Sequence, residues 1–153
     1  MKFLIKKRLN IILIILIPGI MVISGIYYYM FLRPLRDVSK MDPEYKLSSQ
    51  QLISEFSNEE AAANAKYLGK ENGKVIQVKG KISEIKLENN GIFTCTLRDK
   101  PEIEASIICY LDSLEANKIK RYHTGDFIVI KGTCIGWVYL TSEVDLIKCI
   151  IVE

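Results

Sequence analysis

Side chains able to do chemistry are few in this 153-residue chain, and they do not gather in the sequence. The single histidine, His123, stands directly before the turn signal Thr124-Gly125-Asp126, a solvated loop setting rather than that of a general base. Glu59 and Glu60 are adjacent, so on a helix they point to different sides and form no opposed acid and base. No Cys-x-x-Cys or Cys/His cluster with metal-ligand spacing occurs, so the sequence indicates no metal and no cofactor, and it reads as a non-enzyme. That leaves four cysteines, Cys95, Cys109, Cys134 and Cys149. If the last two strands form a hairpin turning at Thr141-Ser142, Cys134 stands opposite Cys149, Trp137 opposite Leu146 and Tyr139 opposite Val144. A disulfide between Cys134 and Cys149 is then admissible in geometry. The alternative is four buried thiols serving as small apolar residues. A three-residue turn ahead of the third strand places Cys95 opposite Ala105.

Binding chemistry has more to work with. Phe93, Tyr110, Trp137 and Tyr139 are aromatic side chains on expected strands or their rims, with Trp137 and Tyr139 the leading contact candidates. Lys118, Lys120 and Arg121, beside Tyr122, form the densest cationic run. Aromatics interleaved with cations suit the stacking and charge neutralisation of single-stranded nucleic acid. Small barrels also fill their interiors with aromatics, and a basic run suits the end of a helix, against its dipole. Charge bears on the choice. Residues 1–36 hold six Lys/Arg and no acid, so the net +3 conceals a remainder in which fifteen Lys/Arg meet eighteen Asp/Glu. A mildly acidic domain lacks the bulk charge with which nonspecific nucleic-acid binders grip phosphates. An envelope protein, peptide or glycan therefore ranks first as partner, with nucleic acid second.

The elements that must position these residues begin with an anchor. Residues 9–32 are uncharged and mostly Ile, Leu and Val, and at about 1.5 Å rise per residue they cross a hydrocarbon layer of roughly 30 Å. Lys2, Lys6, Lys7 and Arg8 precede the stretch and only Arg33 and Arg36 follow it closely. This bias predicts a single-pass protein with residues 1–8 as a cytoplasmic basic tail and the remainder extracytoplasmic. Tyr27, Tyr28 and Tyr29 suit the outer headgroup zone. A cleaved signal peptide is the rival reading, but the apolar run exceeds the usual length and no A-x-A-like site follows. Residues 33–46, with two prolines and scattered charges, read as a linker. Residues 47–153 then make one domain.

Ser48 with Gln51, and Ser57 with Glu60, are capping boxes that predict one helix or two short ones, with Leu52, Phe56, Ala63 and Tyr67 on the inner face and Gly69 as the stop. From Lys74 the period becomes two. Ile76, Val78, Gly80 and Ile82 turn inward, then the phase slips to Ile85 and Leu87, which predicts a bulge in a curling sheet. Asn90-Gly91 marks a tight turn. A second strand carries Phe93, Cys95 and Leu97, and a third carries Ile103, Ala105, Ile107 and Cys109. Asp112 with Glu115 opens a short helix bearing Leu114 and Ile119. Strands over 127–139 and 144–152 complete the domain. Three strands, a helix and two strands is the order of an OB-fold, a mainly β, five-stranded Greek-key barrel; an SH3-like barrel is the alternative but does not require that helix.

Particular runs also resemble a family. Asn58-Glu59-Glu60-Ala61-Ala62, Lys66-Tyr67-Leu68-Gly69-Lys70, the strand from Val75 to Ile82, Gly125-Asp126, the run from Val129 to Gly136, and Cys149-Ile150-Ile151-Val152 together resemble the bacterial tRNA_anti-like OB-fold family. The resemblance covers roughly residues 45–153 and departs from the pattern at Glu71-Asn72-Gly73. It implies an OB-type barrel behind a helix, often behind a membrane or lipoprotein signal, and it lends no functional residue.

Overall fold

The computed structural model divides the chain into two units, Met1–Arg36 and Asp37–Glu153. It describes residues 37–69, 73–100, 102 and 104–152, and of the first unit only Met21, Ser24 and Gly25. The expected basic tail at 1–8 and, those three positions aside, the anchor at 9–32 lie outside the described residues. Among the described residues no helix is long and apolar enough to cross a membrane.

A 3-10 turn at Val38–Lys40 leads into strand β1 (Tyr45–Ser48), helix α1 (Ser49–Asn58) and helix α2 (Glu60–Tyr67). Strands β2 (Val75–Leu87), β3 (Phe93–Leu97) and β4 (Ser106–Leu111) follow. A second 3-10 turn, Ser113–Glu115, runs into the short helix α3 (Ala116–Ile119), and β5 (Phe127–Val138) and β6 (Glu143–Ile151) close the chain.

The helical pair forms for local reasons. Ser48 Oγ accepts the Gln51 N–H at 3.1 Å, satisfying a donor that the first helical turn leaves orphaned. At Glu59 the backbone leaves helical geometry (φ −142°, ψ 68°), and α2 restarts with no side-chain cap. Of the one helix or two that the sequence allowed, two form, and Ser57 does not cap the second. Leu52, Phe56, Ala63 and Tyr67 are all buried. Each of the large ones contributes roughly 1.5–3 kcal/mol by leaving water. Gly69, at φ +63°, reverses the chain.

β2 pairs antiparallel with β3, β3 with β4, β4 parallel with β6, β6 antiparallel with β5, and β5 antiparallel with β2, which closes a five-stranded barrel. The register shift between Ile82 and Glu84 is the predicted phase slip, and it lets one long strand serve two neighbours in turn. Ile76, Val78, Ile82, Leu97, Ile107, Ile130 and Leu146 fill the interior. Gly80 allows α1 to seat on β2, because a Cβ there would lie 2.8 Å from the side chain of buried Ser49.

Several expectations need correction. Residues 37–46 are no linker: Val38 is buried, Lys131 Nζ donates to the carbonyls of Ser39 and Met41, and the Glu44 N–H donates to Val75 O. β1 is a strand missed in the sequence, parallel to β2 from Tyr45 opposite Ile76 to Ser48 opposite Lys79. It covers the stretch of β2 edge that β3, paired from Ile82 onward, leaves open. β4 begins at Ser106, later than expected, because Asp99 is pinned by the Lys81 N–H (2.8 Å) and the Ser49 hydroxyl, so the chain does not turn within three residues. Cys95 consequently faces Cys109, not Ala105. Leu114, placed on the short helix by the sequence, lies in the 3-10 turn ahead of it, where the Asp112 carboxylate accepts its N–H and its side chain is exposed. The last hairpin turns over Tyr139–Ser142, which sets Trp137 opposite Val144, and an irregularity in β5 between Cys134 and Gly136 then sets Cys134 opposite Leu146. Of the two readings left open for the cysteines, the structure has the second: Cys134 and Cys149 are not bridged, and all four cysteines are free, buried thiols.

Candidate ligand groove on the barrel face

The outward side of β3, β4, the second half of β2 and the start of β6 forms an open groove of about 480 Å³. Its position follows from strand alternation: with Cys95, Leu97, Ile107, Cys109 and Val144 turned inward, the residues between them line the outside. Carboxylates come from Glu84, Glu88 and Glu143, and cations from Lys86 and Arg98. Ser83, Thr94, Thr96 and Ser106 add hydroxyls, and Tyr110 is the aromatic side chain in the lining. Asp145 stands beside Ile108 across the β4–β6 pair and adds a fourth acid at the margin.

The electrostatics are those of an acidic surface. Lys86 Nζ pairs with Glu84 at 2.9 Å, and its pKa is raised by Glu84 first, with Glu88 and Glu143 adding their charge. Burial, then Glu143, raises the Asp145 carboxyl above the usual Asp range. The Tyr110 phenol is raised by burial and by Asp145, Glu143 and Glu88. Thr94 Oγ1 donates to Glu88 at 3.4 Å and Ser83 Oγ donates to Thr96 O at 3.2 Å. Arg98 Nε and Ser106 Oγ are buried without a partner among the described residues, so polar capacity remains for a ligand. Such a surface attracts cations, accepts hydrogen bonds and repels phosphates.

Of the residues singled out in the sequence, the fold brings only Tyr110 to this groove. Trp137 is half-buried and stacked on Phe56, ring centroids 6.2 Å apart and planes at 10°, so it cements α1 to β5. Tyr139 lies exposed at the far hairpin, its phenol raised by a hydrogen bond to Glu60. Phe93 packs against the core edge beneath Lys120 Nζ, 5.9 Å from its ring centre. Lys118 is paired with Glu115 at 3.1 Å, and that carboxylate also accepts the Ile151 N–H; none of Lys118, Lys120 and Arg121 lines the groove. His123 is exposed next to Asp126. Among the described residues no group of His, Cys, Asp and Glu is arranged to hold a metal. The acids of the groove were missed because Glu143 is distant in sequence from Glu84 and Glu88, and only the pairing of β2, β3, β4 and β6 brings them to one face.

Strand order β2-β3-β4-β6-β5 closed back on β2, with a helix between β4 and β5, defines an OB-fold barrel. Residues 1–150 match the sequence profile of the tRNA_anti-like family, and the chain belongs to it. Among solved structures it is similar to a candidate nucleic acid-binding lipoprotein from Klebsiella pneumoniae, at 23% identity and a TM-score of 0.55, covering 79% of this chain and 100% of that one. It also aligns with the Stn1–Ten1 complex of S. pombe (19% identity, TM-score 0.37, 52% of this chain and 58% of that one). A candidate aspartyl-tRNA synthetase from Leishmania major aligns at 13% identity and TM-score 0.44, over 79% of this chain and 23% of that one. The Klebsiella likeness shows a shared fold. A search of curated proteins gave no match.

Proposed function

We propose that this chain is a membrane-tethered, extracytoplasmic OB-fold module of the cell envelope that binds without catalysis. Its groove takes a cationic polar ligand, a Lys- or Arg-bearing segment of an envelope protein or peptide. The observation that carries this reading is the lining of the barrel face: Glu84, Glu88 and Glu143 with Asp145 beside them, against Lys86 and Arg98. Extended segments suit an open face of this size, and charge complementarity sets register and on-rate. The tether is supported by the apolar run 9–32 with its basic leading flank. The family match, which starts at residue 1, takes in that run as well as the barrel.

Nucleic acid is the second reading, favoured by the description of the Klebsiella protein as a candidate nucleic acid-binding lipoprotein. It requires a cationic track and several stacking platforms. The groove offers an excess of carboxylates and one aromatic side chain.

The two separate in one experiment on the full-length chain in nanodiscs. An oligolysine peptide and a single-stranded oligonucleotide are titrated in parallel, with crosslinking in the native membrane to identify the partner. Peptide binding that weakens as salt rises, and weakens again in Glu88→Gln and Glu143→Gln, supports the proposal. Oligonucleotide binding with no response to the peptide overturns it.

A further inference from the structure

The barrel carries a second charged surface on its other side. Register sets Lys46 beside Gln77, Gln77 beside Lys131, Lys79 beside Val129 and Lys81 beside Phe127. Because Ile76, Val78, Ile128 and Ile130 turn into the core, these partners all point outward. Lys46, Lys79 and Lys81 are exposed, and Phe127 is 65% exposed. None of these outward positions is Asp or Glu. Among the described residues none of the four lysines is in an ion pair, whereas Lys40, Lys66, Lys74, Lys86 and Lys118 all are. The carboxylate at the margin, Asp99, is already occupied by the Lys81 N–H and the Ser49 hydroxyl.

The chain enters the domain at this surface. Lys131, one of the four lysines, is the residue whose Nζ holds the Ser39 and Met41 carbonyls, at 3.1 and 2.9 Å. With Asp37 onward fixed to the barrel, only Arg33 to Arg36 separate it from the end of the apolar run at Leu32. Those residues reach at most about 18 Å. A lysine face with one exposed aromatic ring matches the charge and polarity of anionic headgroups.

We propose that the Lys46/Lys79/Lys81/Lys131 face, with Phe127, rests on the anionic lipid headgroups of the bilayer that holds the chain's own anchor. The acidic groove, built on the other half of β2, is thereby left open to its partner. This rests on the anchor reading above.

The test uses the native full-length chain in vesicles of phosphatidylcholine, with or without phosphatidylglycerol, and an amine-acylating reagent read by mass spectrometry. Lys46, Lys79 and Lys81 are expected to label at least about fivefold more slowly in the anionic vesicles, the factor by which one lysine is attracted to such a surface. Lys118 and Lys120 are expected to label alike in both. In Lys79→Glu/Lys81→Glu, which changes only exposed side chains, the protection of Lys46 should disappear. Equal labelling in both lipids overturns the proposal, as does protection of these lysines by a single-stranded oligonucleotide but not by anionic vesicles. Alkaline carbonate extraction separates the two readings. A chain that stays in the vesicles but labels equally sinks the lysine face alone, whereas a released chain sinks the anchor.

Discussion

Glu55 shows how much of the domain's order depends on single side chains. Its Oε2 accepts from Lys66 Nζ at 2.7 Å and from Tyr67 Oη at 2.6 Å, tying α1 to α2 around a buried phenol. The hydrogen bond from Lys66, then that from Tyr67, holds the Glu55 pKa below its ordinary value of 4.5. Burial, then Glu55, pushes Tyr67 up to about 12. A carboxyl whose folded pKa is depressed contributes stability that is present above its unfolded pKa and lost as pH falls through the folded one. Glu55→Gln is therefore expected to cost about 1–3 kcal/mol at neutral pH in urea unfolding. The difference from wild type should vanish at acid pH, where the native carboxyl is also protonated. A difference that persists unchanged at low pH would show that the cost is one of shape. The cysteines make a second case. Burial and the neighbouring Cys109 raise Cys95, a hydrogen bond to Cys149 and burial raise Cys109, and burial pushes Cys134 up to about 11. Thiols held protonated and covered are inert. Iodoacetamide should leave Cys95, Cys109 and Cys134 unmodified in the native protein and label them in urea. Rapid native labelling of any of these three would show that the barrel opens.

Which elements were legible in the sequence depended on how far their causes reached along the chain. The cap at Ser48, the Gly69 stop, the Asn90-Gly91 turn and the inward Ile76, Val78 and Ile82 are each decided within a few residues, and they stand as expected. β1 was invisible because it is four residues long and owes its existence to the β2 edge that β3 leaves free. The start of β4 depended on Asp99 meeting Lys81 and Ser49, groups far apart in sequence. The groove suffered likewise: Tyr110 could be picked out as an aromatic on a strand, but the acids around it became neighbours only through the β2–β3–β4–β6 pairing. Trp137, one of the two leading contact candidates, stacks on Phe56, which arrives from a helix that its own strand could not reveal. The segment at Val38–Met41 makes the same dependence testable, because a single side chain on β5 holds it down. Lys131→Ala should raise the rate of tryptic cleavage after Lys40 several-fold while the barrel's thermal unfolding moves only slightly. Cleavage at the wild-type rate would show that burial of Val38 suffices to hold the entry strand.

Taken together, the charges divide the barrel. Both surfaces share β2, whose first half presents Lys79 and Lys81 and whose second half presents Glu84, with Glu88 just past its end and the bulge between Ile82 and Glu84 turning one into the other. A mildly acidic net charge thus hides two fields of opposite sign. The acidic half makes a prediction in pH. Because the Asp145 carboxyl is raised, its protonated form is the one the fold favours, so its contribution to stability is full below the unfolded pKa and is lost as pH rises through the folded one. A cationic ligand wants the opposite state. Affinity for an oligolysine peptide should therefore climb as pH rises through the Asp145 pKa, and the peptide should draw that pKa down on binding. Asp145→Asn removes the conflict: at neutral pH it should be as stable as wild type or more so, yet bind the peptide about two- to fivefold more weakly, as for the loss of a partly screened ion pair. Should the variant lose stability and keep full affinity, Asp145 would be a packing residue and the groove's attraction would have to come from Glu84, Glu88 and Glu143 alone.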